Sequence, residues 1–393
     1  MRPVEESGGA PSTLRLTDLR GRRIAVLGAG REGLSAARLI ANRLQTRATV
    51  LGESEPSASL GEALAQLPGI AVRIAPDAFA DLSGYDVAIR SPGLPVRRPE
   101  LARARAAGLV FSSLTDLFLA EHAEDPVVAV TGTKGKSTTA SLIGLALEAS
   151  GWPAVVAGNI GTPVFDADPE GRARVHVVEV SSYQACDLQS GPSIAVLTSL
   201  YPEHLDWHGG REAYYVDKLN LLRRATGHVV VDATCAEARR RTEGLRSRRF
   251  FGDPGGIHEA GGEIRDGERS LGRLDELPLR GAHDISNACA ALTVAALLGC
   301  DLQAAWQGIA RYPGLPHRLR QIAVRRGVRF VDDALSTIPQ STLHAIRAYE
   351  DGPIALILGG RDRGVDPAPL LDRLVGGGVV RVALMGEMGT VLR

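Results

Sequence analysis

The sequence predicts an α/β protein made of three consecutive segments with parallel sheets, at residues 1–115, 116–312 and 313–393. Three observations support this prediction. Short apolar runs alternate with helical stretches, as repeated βα units require. Glycine-rich loops follow two of the apolar runs, at residues 28–33 and 132–135. A length of 393 residues is sufficient for two or three domains, each with its own core.

Composition excludes several classes of protein. The chain has 45 Lys+Arg and 45 Asp+Glu, and this neutral balance argues against a nucleic-acid or membrane-surface binder. The N-terminus lacks the apolar core of a signal peptide, and the longest uncharged run, residues 149–165, is too short to span a bilayer. The four cysteines lack zinc spacing and are expected to be reduced thiols. We therefore expect a soluble, cytoplasmic protein. A monomer is also expected, although nothing in the composition indicates the oligomeric state.

The first segment begins with a predicted buried strand at residues 23–27. The loop Gly28-Ala29-Gly30-Arg31-Glu32-Gly33 follows, and then a predicted helix at 34–43. This order places a phosphate group at a helix N-terminus. Predicted strands at 48–51 and 86–89 lead to Glu53 and to the turn Ser91-Pro92-Gly93. Because no hydride chemistry is visible, the pattern favours a phosphate-bearing nucleotide ligand other than a nicotinamide cofactor.

The second segment contains the strongest motif. A predicted strand at 126–130 leads into Thr131-Gly132-Thr133-Lys134-Gly135-Lys136-Ser137-Thr138-Thr139, and a helix runs to about Ala149. Backbone N–H groups of such a loop surround phosphates, Lys136 supplies a cation, and Ser137 or Thr138 can bind Mg²⁺. The glycines stand closer together than in GxxxxGK[ST], so a purely structural turn is the alternative.

Polar residues follow the next two predicted strands, at 176–180 and 194–200. Glu179 lies at the carboxyl end of the first strand, where a carboxylate suits Mg²⁺. Residues 201–209 hold two histidines and two carboxylates, for which a solvated loop is the alternative. Lys218 is one of only three lysines and falls on a predicted helix, where a solvated lysine is the alternative. A helix at 288–298, a turn-rich linker at 312–316 and strands at 329–331, 354–358 and 382–385 complete the pattern.

Taken together and in this order, these motifs resemble the Mur ligases of peptidoglycan synthesis. The resemblance extends through residues 158–161, His283 with Asn287, and residues 314–318, 332–333 and 359–360. It implies a three-domain fold with a Rossmann-like N-terminal domain, a central P-loop domain with a parallel sheet, and a Rossmann-like C-terminal domain. The family's third domain runs well beyond Arg393 and includes a serine-rich loop, so we expect the C-terminal domain here to be incomplete.

The resemblance also implies ATP, two Mg²⁺ ions and a role for each matching residue. The implied catalytic residues are Lys136, His204 and Lys218. The implied ATP-binding residues are Gly132, Thr133, Lys134, Gly135, Lys136, Ser137, Thr138, Asn287, Arg318 and Asp333. The implied metal-binding residues are Ser137, Glu179, His204 and Lys218, with Lys218 carbamylated. The implied substrate-binding residues are Gly28, Gly30, Ser91, Gly93, Asn159, Ser336, Thr337 and Arg363.

Within the family, the chain is most similar to the ADP-forming ligases that join glutamate to UDP-N-acetylmuramoyl-L-alanine through an acyl phosphate. Leu335 stands where the ligases for D-glutamate have a lysine, and Arg363 replaces a second lysine. These departures favour the branch that adds L-glutamate. The alternatives are a D-glutamate ligase, a folylpolyglutamate synthetase, against which the first segment argues, and a non-catalytic UDP-sugar-binding relative.

Overall fold

The computed structural model describes residues 13–277, 281–334, 336, 339–360 and 366–391. Within these residues the chain divides into two compact units. The first comprises the described residues of 1–276 and 286–310, and the second comprises the described residues of 277–285 and 311–393. Both units combine strands and helices, which confirms the α/β class. In the described ranges, no helix is both long enough and apolar enough to cross a lipid bilayer.

The N-terminal part of the first unit is a five-stranded parallel sheet in the order β3-β2-β1-β4-β5. Its strands are β1 (Ile24–Leu27), β2 (Ala48–Gly52), β3 (Ile70–Ile74), β4 (Val87–Arg90) and β5 (Val110–Ser112). Its helices are α1 (Arg31–Arg38), α2 (Ala58–Ala65), α3 (Pro99–Ala106) and α4 (Leu114–Glu121). The apolar runs at β1 and β4 are completely buried, because helices cover both faces of a parallel sheet.

The sequence analysis did not predict the strands β3 and β5. β3 is an edge strand whose three central residues are exposed, although four of its five residues are apolar. The predicted helix at 34–43 begins three residues earlier, at Arg31, and its last turn, Leu39–Arg43, is a π-helix.

The second part of the first unit is a nine-stranded sheet in the order β14-β13-β12-β11-β10-β9-β6-β8-β7. Its strands are β6 (Val127–Thr131), β7 (Ala154–Gly158), β8 (Val175–Glu179), β9 (Ile194–Leu197), β10 (His228–Asp232), β11 (Arg248–Phe251), β12 (Ile257–Ala260), β13 (Glu263–Asp266) and β14 (Arg269–Arg273). The sheet is parallel from β7 to β12, and β13 pairs antiparallel with both β12 and β14. That antiparallel extension was not predicted.

The helices after β6 are α5 (Lys136–Ala149), α6 (Ser182–Ala185), α7 (Leu205–His208), α8 (Arg211–Arg224), α9 (Ala236–Arg241), α10 (Ala282–Leu297) and α11 (Leu302–Ala310). Short 3-10 helices lie at Leu16–Leu19 and Leu274–Glu276. The helix predicted at 288–298 begins earlier, at Ala282, because its first turns carry polar residues that the apolar pattern does not register. Lys218 lies on α8, as predicted.

The second unit contains two small sheets. β15 (Arg320–Arg325) and β16 (Val328–Asp332) form an antiparallel pair, and β17 (Ile354–Gly359) and β18 (Val379–Met385) form a parallel pair. Its helices include α12 (Pro339–Ala348), α13 (Ala368–Val375) and α14 (Gly386–Val391). The strands predicted at 329–331, 354–358 and 382–385 are confirmed.

Candidate active site

The glycine-rich loop follows β6, at a point where the order of strands reverses. β8 and β9 lie on either side of β6, and both run parallel to it. Ligand sites in α/β sheets form at such points, outside the carboxyl ends of the strands. The loop leads directly into α5, a 14-residue helix that begins at Lys136. Its N-terminus therefore directs unpaired backbone N–H groups and a positive dipole end toward any ligand there.

Two glycines of this loop cannot be replaced without strain. Gly132 has φ +153° and Gly135 has φ +86°, backbone conformations that residues other than glycine rarely adopt. A Cβ atom on Gly132 would lie 2.0 Å from Thr198 Oγ1, and one on Gly135 would lie 2.4 Å from Asn287 Oδ1. Both glycines therefore allow the loop to pack directly against Thr198 and Asn287.

Residues after β9 hold the loop in place. The hydroxyl of Thr198 donates to the carbonyl of Lys134 at 2.5 Å, and the Lys134 N–H donates to Ser199 Oγ at 2.9 Å. Thr133 Oγ1 lies 2.8 Å from both the Tyr201 carbonyl and Tyr214 Oη. The strand predicted at 194–200 ends at Leu197, and beyond it the Ser199 carbonyl accepts a hydrogen bond from the Thr133 N–H of the loop at 2.9 Å.

All three lysines of the chain converge on this loop. Lys136 Nζ donates to the carbonyls of Gly132 and Thr133, at 3.0 and 3.2 Å. Lys218 Nζ donates to the same Gly132 carbonyl at 2.8 Å. Lys134 Nζ lies 2.6 Å from Glu203 Oε1. An anion that enters the loop would therefore meet a cluster of lysine amino groups.

Lys218 is buried, with only 2% of its surface exposed, so the solvated alternative is wrong. Its burial, together with repulsion from Lys136, holds its pKa well below the usual value for lysine. A neutral amine is the form that reacts with carbon dioxide. The burial of Lys218 is therefore compatible with the carbamylated lysine implied by the family resemblance.

Glu179 lies at the end of β8 and is almost completely buried. Its Oε1 accepts a hydrogen bond from Asn159 Nδ2 at 2.8 Å, whereas Oε2 has no hydrogen-bond partner among the described residues. A buried carboxylate oxygen without a partner is costly unless a cation occupies the adjacent space. Glu179 thus fits a Mg²⁺ ion, which prefers carboxylate and water oxygens.

A cavity of about 130 Å³ opens beside the loop. It is lined by Lys136, Asn159, Ser181, Ser182, Tyr183, Glu203, His204 and Lys218. His204 has a left-handed backbone, with φ +55°, which is uncommon for a residue with a side chain and is often found at functional sites. Its pKa is lowered, chiefly by burial. Burial also opposes ionisation of Glu203, but the ion pair with Lys134 outweighs it and the pKa of Glu203 is lowered.

A larger cavity, of about 610 Å³, lies at the carboxyl end of the five-stranded sheet. Gly28, Gly30, Ser91 and Gly93 line it, and Asn159 lines both cavities. Its wall also carries charged residues that the sequence analysis did not assign to a ligand, namely Arg31, Glu32, Glu53 and Arg98. The two cavities therefore meet at Asn159, within one compact unit.

Charged groups of the large cavity are mostly paired. Arg98 forms a bidentate ion pair with Glu53, at 2.6 and 2.7 Å, and this pair lowers the pKa of Glu53. Burial raises the pKa of Glu32, although Gln184 Nε2 donates a hydrogen bond to it at 2.9 Å. Glu53, which the sequence placed after the second strand, thus stands at the cavity wall.

The remaining predicted residues fall in three places. Asn287, on α10, accepts a hydrogen bond from Thr139 Oγ1 at 3.1 Å and lies against the loop. Arg318, Asp333 and Ser336 belong to the second unit, where the Ser336 hydroxyl donates to Asp333. Leu335, Thr337 and Arg363 lie outside the described residues. The roles given to all of these residues stay predictions.

The sequence analysis did not assign functional roles to several residues around the cavities. Glu203 and Ser182 line the small cavity, and His208 and Asp217 lie behind Ser182. The high density of His and carboxylate residues at 201–209 was a usable signal for Glu203 and His208. Asp217 could have been suspected only because it adjoins Lys218.

Comparison with known proteins finds a matching family and close relatives that share one name. Residues 130–295 match the family described as Mur ligase middle domain. A UDP-N-acetylmuramoyl-L-alanine--L-glutamate ligase of Micromonospora sp. is 42% identical to this chain, over 92% of the chain and 81% of that protein. A relative of the same name from Xanthomonas axonopodis pv. citri is 35% identical, over 96% of this chain and 82% of that protein.

Solved structures also resemble this fold. UDP-N-acetylmuramate-alanine ligase MurC of Thermotoga maritima aligns with a TM-score of 0.59 at 17% identity, over 94% of this chain and 87% of that chain. MurF of Acinetobacter baumannii aligns with a TM-score of 0.58 at 20% identity, over 96% of this chain and 81% of that chain. At these identities the likeness shows the fold alone.

Proposed function

This chain belongs to the Mur ligase family, and we propose that it joins L-glutamate to UDP-N-acetylmuramoyl-L-alanine at the expense of ATP, in peptidoglycan precursor synthesis. The observation that carries this proposal is the pair of cavities that meet at Asn159. One is lined by the GxGxxG loop and can hold a nucleotide-bearing substrate. The other adjoins the phosphate loop. Their junction would bring a substrate carboxylate close to the ATP γ-phosphate.

The substrate carboxylate is a poor electrophile, so it must be activated before an amine can attack it. Its oxygen attacks the γ-phosphorus of ATP, ADP leaves with the bonding electron pair, and an acyl phosphate forms. The amine of glutamate then attacks the carbonyl carbon, phosphate leaves, and the amine loses a proton. Lys136, at the start of α5, would offset the phosphate charge in the first step.

Two Mg²⁺ ions would lower the barrier by neutralising charge on the phosphate oxygens. Ser137 and Glu179 would hold one ion, and the unpaired Glu179 Oε2 supports this assignment. His204 and carbamylated Lys218 would hold the second. Addition of carbon dioxide to the neutral Lys218 amine, with loss of a proton, converts a buried neutral group into an anion. That anion would lie near Lys136, whose positive charge opposes protonation of the Lys218 amine.

Further residues would complete the proposed binding sites for ATP and glutamate. Asn287 lies against the loop and would contact ATP, together with Arg318 and Asp333. Ser336, Thr337 and Arg363 would contact glutamate. A guanidinium at position 363 can hold a carboxylate with two parallel hydrogen bonds, where a lysine offers one point charge.

Phosphate release by the purified protein tests this proposal. ATP, Mg²⁺ and UDP-N-acetylmuramoyl-L-alanine are supplied with L-glutamate or with D-glutamate, and reactions without the UDP substrate give the background. A misplacement of about 1 Å costs on the order of 10²-fold in rate, so we expect kcat/KM to favour L-glutamate by at least that factor. Equal values, or a preference for D-glutamate, would contradict the proposed stereochemistry.

A further inference from the structure

A chain of hydrogen bonds ends at the wall of the small cavity. Both terminal nitrogens of Arg97 donate to the carboxylate of Asp217, each at 2.8 Å. Asp217 Oδ2 lies 2.6 Å from His208 Nδ1, and His208 Nε2 lies 3.0 Å from Ser182 Oγ. His208 is completely buried, and Ser182 lines the cavity. Four side chains from separate parts of the sequence are thus connected.

The direction of the hydrogen bonds in this network follows from the Arg97–Asp217 ion pair at its end. The Asp217 carboxylate accepts two hydrogen bonds from a guanidinium, and an ionised carboxylate cannot donate. His208 Nδ1 therefore donates to Asp217. In the neutral imidazole, Nε2 then carries a lone pair and accepts the hydroxyl hydrogen of Ser182. The lone pairs of Ser182 Oγ remain available to a group in the cavity. The network therefore makes Ser182 an acceptor of hydrogen bonds.

The surroundings indicate what such an acceptor would meet. Lys136 on the cavity wall suits phosphate oxygens, which need donors. Glu203, another acceptor on this wall, is paired with Lys134. Ser182 thus offers oxygen lone pairs to an N–H group. In the second step of the proposed reaction, the attacking amine is the group that brings N–H bonds to the carbonyl carbon.

We propose that Ser182 accepts a hydrogen bond from the amine that attacks the acyl phosphate, and that His208 and Asp217 are positioning residues that keep the Ser182 hydroxyl hydrogen out of the cavity. This inference rests on the proposed function and adds residues to it. It concerns the second chemical step alone. Formation of the acyl phosphate does not require it.

Two variants test the inference without removing the loop or the metal-binding residues. Ser182→Ala deletes the acceptor but leaves the helix cap of α6, which Ser181 provides. His208→Gln keeps a polar side chain of similar reach whose amide can turn either way, so the hydroxyl is no longer oriented. His122→Gln is the matched control, because His122 Nδ1 forms a similar 2.7 Å contact with Asp125 and does not line either cavity.

Two measurements separate the steps. ADP formed in a single turnover with the UDP substrate but no amino acid reports acyl phosphate formation, and kcat with L-glutamate reports the complete reaction. We expect Ser182→Ala and His208→Gln each to lower kcat by about tenfold, the effect of one lost hydrogen bond, with unchanged ADP formation. The double variant should lose no more than Ser182→Ala alone, because His208 acts through Ser182. His122→Gln should match the wild type.

The outcomes distinguish this inference from the proposed function. If the wild type forms no ADP with the UDP substrate, the proposed function itself fails. If the wild type forms ADP but Ser182→Ala retains kcat within twofold, or loses ADP formation, the role given to Ser182 is wrong. If the losses in the double variant multiply, His208 does not act through Ser182, and its positioning role is overturned.

Discussion

Arg90 at the end of β4 offers a quantitative test of how the two sheets of the first unit are held together. It is 1% exposed, and its Nε and Nη2 donate to Asp187 at 2.7 and 2.8 Å. Nη1 donates to three carbonyls within residues 91–94, which line the large cavity, and Nη2 also donates to the Tyr183 carbonyl. One guanidinium therefore ties the walls of the two cavities to each other.

The change Arg90→Met keeps the apolar stem and removes the charge and every one of these hydrogen bonds. Breaking a buried ion pair costs about 3–5 kcal/mol, because the remaining charge is left uncompensated. The Asp187 side chain is 14% exposed, so water relieves part of this cost. We therefore expect the free energy of unfolding to fall by about 3 kcal/mol, the lower end of that range.

Urea unfolding followed by circular dichroism measures this loss. Arg23→Met is the control, since Arg23 forms a 2.6 Å ion pair with Asp86 but its side chain is 63% exposed, and we expect a clearly smaller effect. The double variant Arg90→Met/Asp187→Leu should be more stable than Arg90→Met, because it removes the orphaned carboxylate. Equal losses for Arg90→Met and Arg23→Met would refute this reasoning.

Three further predictions concern the phosphate loop. Lys136→Ala should abolish phosphate release while urea unfolding stays unchanged; turnover within a few-fold of wild type would contradict phosphate binding by this lysine. Lys218→Ala should be inactive and should regain activity with added short-chain carboxylates, which replace the carbamate; full activity in Lys218→Arg would rule out a carbamate, because a guanidinium cannot supply one. Gly135→Ala should weaken ATP binding, measured by calorimetry, at least tenfold, since its Cβ would meet Asn287 and its backbone would be strained; unchanged affinity would show that the loop adapts.

Several features of this protein follow from local sequence alone. The apolar runs at β1 and β6 predicted buried parallel strands, because a strand covered on both faces by helices has no polar side. The loops after them were readable because glycine, lysine and hydroxyl residues at these spacings serve phosphate binding. Glu179 was assigned to the end of a strand, and its position at that end of β8 is confirmed.

Only the tertiary structure decided how distant residues act on one another. The sequence left Lys218 open between a solvated and a functional lysine, and packing of α8 against the phosphate loop buries it. Arg97 and Asp217 are 120 positions apart, and Arg90 and Asp187 are 97 apart. Neither pair can be detected from the local sequence, because the tertiary structure brings these distant residues together. The sequence determined which residues can do chemistry, whereas the long-range packing determined their burial and hydrogen-bond partners, and hence which of them meet at one site.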